Sequence, residues 1–430
     1  MAGMIAKNMT QIPVDISVMH TPVHIVAEEF DEVVSVKVYR VNSFSRELVS
    51  ADKHHLFSRH ESNIIMFTYR PKMSGSEKCK AYFYQGRLST ITEKGTSAFM
   101  TVELSQSTGL EVSQVRVPEG KEPPEFSHLF QTFTILNPKL VAIGLQVYDV
   151  RQSFGHITKI IQVDPKDVHF GSQNCLLLIT NTKQYTWSGP FTNLLEQQAL
   201  KSASEMLCKD LPLETVDLHA LFPVELSKYL DKSVRPAKCS SKARIEPRLF
   251  TCSGKSGMVV INEVPQFSQD DLDPTIVMIL DIITHIFVWF GPECKSNEKR
   301  IACETVVDYV KQSKIHIPKR ILFVVTYAYQ EPREFSKHFH GWSTELFPLE
   351  FRRNEFVKVD MLEDIMKEFN RKVYRLEELL DSPPDHLDKT KLEHYLCDDE
   401  FARVFGISKQ VYEEMLPWKR DRAKRKVGFV

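Results

Sequence analysis

Apolar positions along this chain come in three rounds of one pattern. In each round a strand-like segment precedes a pair of short segments rich in aliphatic and aromatic residues, spaced as a hairpin. A stretch whose apolar residues recur three and four apart then follows. The first round is "SVKVYRV" (35–41), "ESNIIMFTYR" (61–70), "AYFYQG" (81–86) and an amphipathic segment from near Thr90. The second is "LQVYDV" (145–150), "NCLLLITN" (174–181), "QYTWSG" (184–189) and "LLEQQALKSASEML" (194–207). The third is "PRLFTCS" (247–253), "IVMILD" (276–281), "HIFVWFG" (285–291) and "NEKRIACETVVDYV" (297–310), where Ile301, Thr305, Val306 and Tyr309 share one helical face. Short runs dense in β-branched and aromatic residues predict strands, and the three-and-four spacing predicts helices. Both strands of the third hairpin are apolar at nearly every residue, which predicts a sheet buried on both sides. The expected fold class is α+β, mixed sheets covered by helices in units of about 100 residues.

Spacing supports the repetition more strongly than letters do. Each aromatic strand ends in glycine, at Gly86, Gly189 and Gly291, and a glutamate follows seven residues later each time, at Glu93, Glu196 and Glu298. From the residue opening the central strand to that glycine is 15 positions in the second and third rounds and 25 in the first. The extra residues fall in the "PKMSGSEKCK" loop (71–80), and two rounds close alike, with "EPPEFSHLF" (122–130) and "EPREFSKHF" (331–339). The pattern divides the chain into an N-terminal extension (1–28), repeats at 29–135, 139–212 and 246–345, linkers at 213–245 and 346–367, and a terminal module at 368–430.

The terminal module reads as three short helices. Asp398 is the expected cap of the first and Gly406 its stop, Ser408 caps the second, and Pro417 lies in the first turn of the third. Phe401, Phe405 and Tyr412 are expected to fill its core almost alone, with Ala423 and Val427 turned inward. On the third helix Trp418, Arg422 and Arg425 follow each other at i, i+4 and i+7, an exposed stripe suited to an acidic partner. The same cations could answer the helix dipole or serve as a nuclear-import patch.

Composition narrows the function classes. The chain is 42% apolar and 26% charged with a net charge of −1, so it is expected to fold and carries no overall field drawing it to nucleic acid. Eight cysteines without paired spacing read as cytosolic thiols, and no signal-length or membrane-length apolar segment is seen. His54, His55 and His60, and His338 with His340, cluster without metalloprotease or zinc-finger spacing. No nucleotide-binding or nucleophile-elbow motif occurs, so the chain is expected not to be an enzyme.

The terminal forty residues resemble the villin headpiece through "DDEFARVFG" (398–406), "PWK" (417–419) and "GFV" (428–430). The rounds resemble gelsolin-type repeats of the villin/gelsolin/supervillin superfamily through their spacing and "GKEP" (120–123), "RLF" (248–250) and "VMILD" (277–281), over 33–430 in all. The resemblance implies three gelsolin-like repeats, each a mixed sheet sandwiched by helices and like the fourth to sixth of the usual six, followed by a small all-α headpiece. It implies filamentous actin, whose surface is acidic, as partner. It places Trp418 as an exposed hydrophobic cap and Lys391, Lys419, Arg425, Phe429 and Val430 among actin contacts, with Glu393 and Lys424 as a structural ion pair. Leu392 stands where a basic residue is usual, Val430 replaces a phenylalanine, Ala423 replaces a larger core residue, and Pro417 is one position late.

The family can also hold calcium between an aspartate opening the central strand and the helix glutamate. Here the strand residue is Glu61 (with Glu93), Asn174 (with Glu196) or Ile276 (with Glu298). Calcium takes about six to eight oxygens, preferably anionic. Isoleucine supplies none and Asn174 is neutral, so no cofactor is required and calcium regulation is expected to be weak or lost, as suits supervillin-like members. With three repeats of the usual six, the expectation is a cytoplasmic, cytoskeletal or cortical protein that binds filament sides, crosslinks or scaffolds. Acidic phosphoinositides and other cytoskeletal proteins are further partners. Two other readings stay open on the sequence: a calcium-regulated capping or severing protein, and a membrane- or nucleus-associated scaffold.

Overall fold

The computed structural model describes residues 14–21, 32–71, 75–130, 132–153, 157–217, 221–230, 246–253, 259–312, 322–352, 357–371, 373–384 and 387–429. A single helical turn, α1 (Ser17–His20), comes first. The first unit holds β1 (Glu32–Asn42), β2 (Ser45–Leu48), β3 (Leu56–Ser58), β4 (Ser62–Arg70), β5 (Lys78–Gln85), α2 (Ile91–Ser107), β6 (Val112–Pro118), α3 (Phe126–Leu129) and β7 (Phe133–Leu136). The second holds β8 (Leu145–Ser153), β9 (Ile157–Val163), β10 (Cys175–Thr180), β11 (Gln184–Ser188), α4 (Leu194–Cys208) and β12 (Leu213–Thr215). The third holds β13 (Arg248–Ser253), β14 (Val260–Val264), β15 (Val277–Asp281), β16 (His285–Phe290), α5 (Ser296–Gln312), β17 (Leu322–Tyr327), α6 (Arg333–Ser336), β18 (Val359–Met361) and α7 (Leu362–Phe369). The C-terminal module is α8 (Leu376–Asp381), a 3-10 turn at Leu392–Tyr395, α9 (Asp398–Phe405), α10 (Lys409–Glu413) and α11 (Pro417–Val427).

The three units share one kernel. A central strand (β4, β10 or β15) pairs antiparallel with the first strand of its unit (β1, β8 or β13) on one side and with the hairpin strand after it (β5, β11 or β16) on the other. The chain then crosses through the long helix to a strand parallel to the hairpin strand. The invariant spacing from glycine to glutamate has two separate causes. A Cβ on Gly86 would lie 2.6 Å from the carbonyl oxygens of Ser58, Arg59 and Glu61, and one on Gly189 or Gly291 would meet the equivalent turn as closely, so only glycine fits. The glutamate sits in the first turn of the helix and accepts from a backbone N–H at the helix start: Thr90 N to Glu93 (2.9 Å), Asn193 N to Glu196 (2.9 Å), Lys295 N to Glu298 (3.1 Å).

Each sheet is buried on both faces. One face of the third sheet packs Ile279, Ile286 and Val288 against Ala302, Cys303 and Val306 of α5, and the other packs Met278, Leu280 and Trp289 against Phe335, Phe339 and Trp342. The first two units are fused rather than strung together. Strands β3 and β7, on either side of the first sheet's core in sequence, pair with each other and extend the second unit's sheet in the order β12-β11-β10-β8-β9-β7-β3. One core runs through both units, from Phe67 and Tyr82 to Leu176 and Trp187.

Three stretches differ from the sequence expectation. Within 213–245, read as a linker, β12 joins the second sheet and Val216, Leu226 and Leu230 are buried in the shared core; residues 218–220 and 231–245 lie outside the described residues. Within 346–367, also read as a linker, β18 pairs with β17 and Leu362 of α7 enters the third unit's core. The apolar positions Leu362, Ile365, Met366 and Phe369 give α7 an inner face, so it finishes the repeat rather than leaving it. Within the extension 1–28, residues 14–21 dock on the third unit, with Ile16 and Met19 buried there.

Candidate functional site

The C-terminal module is built around Phe401 and Tyr412, both 1% exposed, with Phe405 half-buried against them at ring distances of 4.4 and 5.2 Å. These aromatics do not fill the core alone: Tyr374, Leu379, Leu387, Leu392 and Leu396 complete it. Leu392 is buried, which accounts for an apolar residue where a basic one was expected. Cys397, rather than Asp398, caps α9, its Sγ accepting from Glu400 N at 3.4 Å; Asp398 is the first helical residue. Gly406 ends α9 at φ 71°, Ser408 caps α10 through Val411 N, and Pro417 opens α11.

Glu393 and Lys424 form the expected pair. Lys424 Nζ lies 2.7 Å from Glu393 Oε1 and donates to the carbonyl of Thr390 at 2.7 Å, and Tyr412 OH donates to the same Glu393 oxygen at 3.3 Å. Glu393 is 2% exposed, so its charge depends on these partners. By holding Thr390 against α11, Lys424 also brings the exposed Lys391 beside the helix.

On the outer side of α11, Trp418 is 57% exposed and Lys419 Nζ stands 5.5 Å from its ring centroid. Arg422 and Arg425 are exposed and follow Trp418 along the stripe that helical periodicity gives. Ala423 packs on the core and Val427 is half-buried, so the inward and outward sides are as expected. Leu416 and Val411, missed in the sequence, add exposed apolar surface; Leu416 immediately precedes Pro417. Phe429 differs from a free contact residue: it is half-buried and stacked on Phe405 at 6.3 Å. Val430 lies outside the described residues.

The candidate calcium residues are engaged by the protein's own donors. Glu61 pairs with Arg40 at 3.0 Å, and its carbonyl accepts from Gly86 N. Glu93 completes a capping box with Thr90. Asn174 lies against the Arg151 guanidinium, its amide oxygen accepting from Nη2 at 2.7 Å. Glu196 is fully buried and accepts from Gln152 N and Asn193 N, each at 2.9 Å. An arginine thus stands at both strand positions where a metal would need an anionic oxygen, a poor fit to calcium's oxygen shell. Among the described residues no group of three or more His, Cys, Asp or Glu side chains is placed to hold a metal ion.

A second exposed surface escaped the sequence reading. On α2, Ile91 (91% exposed), Phe99 (71%) and Val102 fall within one side of the helix. Thr96 Oγ1 donates to Ser43 O at 2.6 Å, and Arg46 pairs with Glu103 at 3.0 Å, so the β1–β2 hairpin with the exposed Phe44 is tied alongside. Three outward apolar residues in an amphipathic helix were the available signal, but the inward face had the same spacing.

The villin headpiece domain model matches residues 395–430, and the gelsolin repeat model matches residues 258–335. Over 426 residues the chain is 29% identical to villidin of Dictyostelium discoideum, covering 92% of this chain and 24% of villidin. It is 26% identical to advillin of Mus musculus, covering 99% of this chain and 56% of advillin. It is 27% identical to gelsolin of Xenopus laevis, covering 80% of this chain and 86% of that protein. The chain therefore spans about a quarter of villidin and about half of advillin. With three sheet-and-helix units of one kernel, a small helical terminal module and these matches, the chain is similar to proteins of the villin/gelsolin superfamily in both its repeats and its terminal module.

Proposed function

We propose that this chain binds filamentous actin through the outer face of α11, with α2 of the first unit as a second contact, and that it works without calcium control as a side-binding, crosslinking or scaffolding protein. The observation that carries the reading is Trp418, more than half exposed on a module too small to spare an indole from its core, flanked by Lys419, Arg422 and Arg425. An aromatic anchor ringed by cations suits an acidic protein surface. Two contacts on one chain would raise avidity or join neighbouring filaments if their separation allows both to engage. Calcium independence is supported by Arg40 at Glu61, Arg151 at Asn174 and the capping roles of Glu93 and Glu196. Such a protein would work in the cytoplasm at the cortex, where acidic phosphoinositides would compete for the same cations.

The test is high-speed cosedimentation with filamentous actin, in calcium and in chelator. Trp418→Ala, and separately Lys419→Glu with Arg425→Glu, are expected to weaken binding by about tenfold or more in both conditions. Phe99→Asp is expected to remove the binding that remains. Unchanged pelleting of the α11 variants would overturn the headpiece assignment. Pelleting that requires calcium would favour the capping or severing alternative.

A further inference from the structure

We propose that the third unit carries a groove for a short amphipathic peptide turn, and that residues 14–21 of this chain are its ligand, strapping the start of the first unit to the third. A four-residue helix does not hold itself together in water, yet Met19 in α1 is fully buried and Ile16, three positions earlier, is 9% exposed. Both enter the core that contains Phe250, Cys252, Ile261 and Tyr309. The groove lies along β14, the edge strand of the third sheet.

The polar half of the site is Arg248, at the start of β13. Its Nη1 donates to Met19 O at 2.6 Å, and its Nη2 to Val18 O at 3.0 Å and Thr21 O at 3.2 Å. Carbonyls at the end of so short a helix have no partner within it, so the guanidinium caps the turn from outside. Glu263 on β14 fixes the fork through two bonds of 2.9 and 2.7 Å, and Phe250 lies beneath it at 4.8 Å. His20 completes the contact, its ring 5.0 Å from that of Tyr309. The groove thus selects two apolar side chains three apart, followed by backbone carbonyls that a guanidinium can reach.

Thr21 and Glu32, where β1 begins, are eleven positions apart in sequence, a tether of at most about 40 Å. Tethering makes docking intramolecular and raises the local concentration of the turn. While it is docked, the third unit cannot move farther from β1 than the tether allows.

The experiment inserts a specific protease site between Thr21 and Glu32 of the full chain, cuts it, and follows the N-terminal fragment by gel filtration and native mass spectrometry. The fragment is expected to stay with the wild-type body. A labelled synthetic peptide of residues 14–21 is expected to bind the cut and stripped body but not the intact chain, whose groove is filled. Met19→Asp in the peptide is expected to weaken binding by about tenfold or more. Since that change leaves the body untouched, its effect reads docking alone. Arg248→Gln in the body is expected to act in the same direction. Immediate loss of the wild-type fragment, or equal binding of the wild-type and Met19→Asp peptides, would overturn the proposal.

Discussion

Arg59 Nη2 donates to the carbonyl oxygen of Gly341 at 3.0 Å, across 282 positions of sequence. Arg59 belongs to the first unit and Gly341 to the tail of the third, and Arg59 is 2% exposed. Its Nε pairs with the buried Glu119 at 3.0 Å. Gly341 has φ 70°, and a Cβ there would lie 2.8 Å from both Arg59 Nη2 and Ile161 of the second unit. All three repeats therefore meet at one guanidinium. Lys159 paired with the buried Glu122, Arg87 with Asp270 and Lys121 with Asp271 continue the charged junction.

Arg59→Met should destabilise the repeat block by about 3–5 kcal/mol, because it leaves a buried carboxylate short of a partner. Burial alone would raise the pKa of Glu119; Arg59 and Arg87 outweigh it and hold the carboxyl below its ordinary value. Adding Glu119→Leu should recover a large part of the loss, which denaturant unfolding of both single variants and the double variant would measure. A loss below about 1 kcal/mol for Arg59→Met would contradict this account.

Glu331 accepts from Trp289 Nε1 at 2.8 Å, and burial pushes its carboxyl up from 4.5 to about 7. Between those values the folded state binds the proton that the unfolded state has released. Stability therefore falls as pH rises through this window, and the loss is complete above it. Glu331→Gln keeps the indole's acceptor and should gain roughly 1–3 kcal/mol over the wild type at pH 8, with no gain at pH 4. Thermal unfolding across that range checks the sign.

His340 acts in the opposite direction. It contacts Asp149 O through Nε2 at 3.0 Å, and burial, with Arg151 and Lys159 nearby, lowers its pKa from 6.5 to about 4 despite the Asp149 carboxylate. Its contribution is complete above the ordinary value and lost as pH falls from 6.5 towards 4, where the unfolded state binds more protons. His340→Gln should flatten the acid limb of the stability profile, leaving the contributions of His169, lowered by burial to about 3, and Asp167, raised by burial to about 6. An unchanged acid limb would remove His340 from the junction's titration.

Lys424→Met should unfold the C-terminal module while leaving the repeats folded. Glu393 would remain buried with the Tyr412 hydroxyl as its surviving short contact, a loss of about 3–5 kcal/mol. That is comparable with the whole stability of a module this small. Hydrogen exchange in the full chain should show lost protection within 374–429 and none elsewhere.

Glu196→Ala should lower stability by about 1–2 kcal/mol, in calcium and in chelator alike, since it removes a cap rather than a ligand. Calcium itself should move the wild-type melting temperature by about a degree or less. A calcium-dependent rise lost in Glu196→Ala would show the carboxylate binding the ion.

The sequence by itself determined the local chemistry. The glycine that alone fits beneath the strand-opening carbonyls, the glutamate that caps each long helix, the helix stop at Gly406 and the outward stripe of Trp418, Arg422 and Arg425 depend on neighbours within a few residues. Periodicity and spacing report such neighbours directly. The Glu393–Lys424 pair spans 31 positions but was reachable because a resemblance supplied the partner. What only the tertiary structure decided was which surfaces meet. Strands β3 and β7 carry ordinary strand patterns, and nothing local in them says that they extend the second unit's sheet. Leu362 and Met19 look like residues of a linker and an extension until the third unit's core surrounds them. Arg59 and His340 are polar residues held at the junction between units by the carbonyls of Gly341 and Asp149, 282 and 191 positions away, and no short window along the chain contains both members of such a pair.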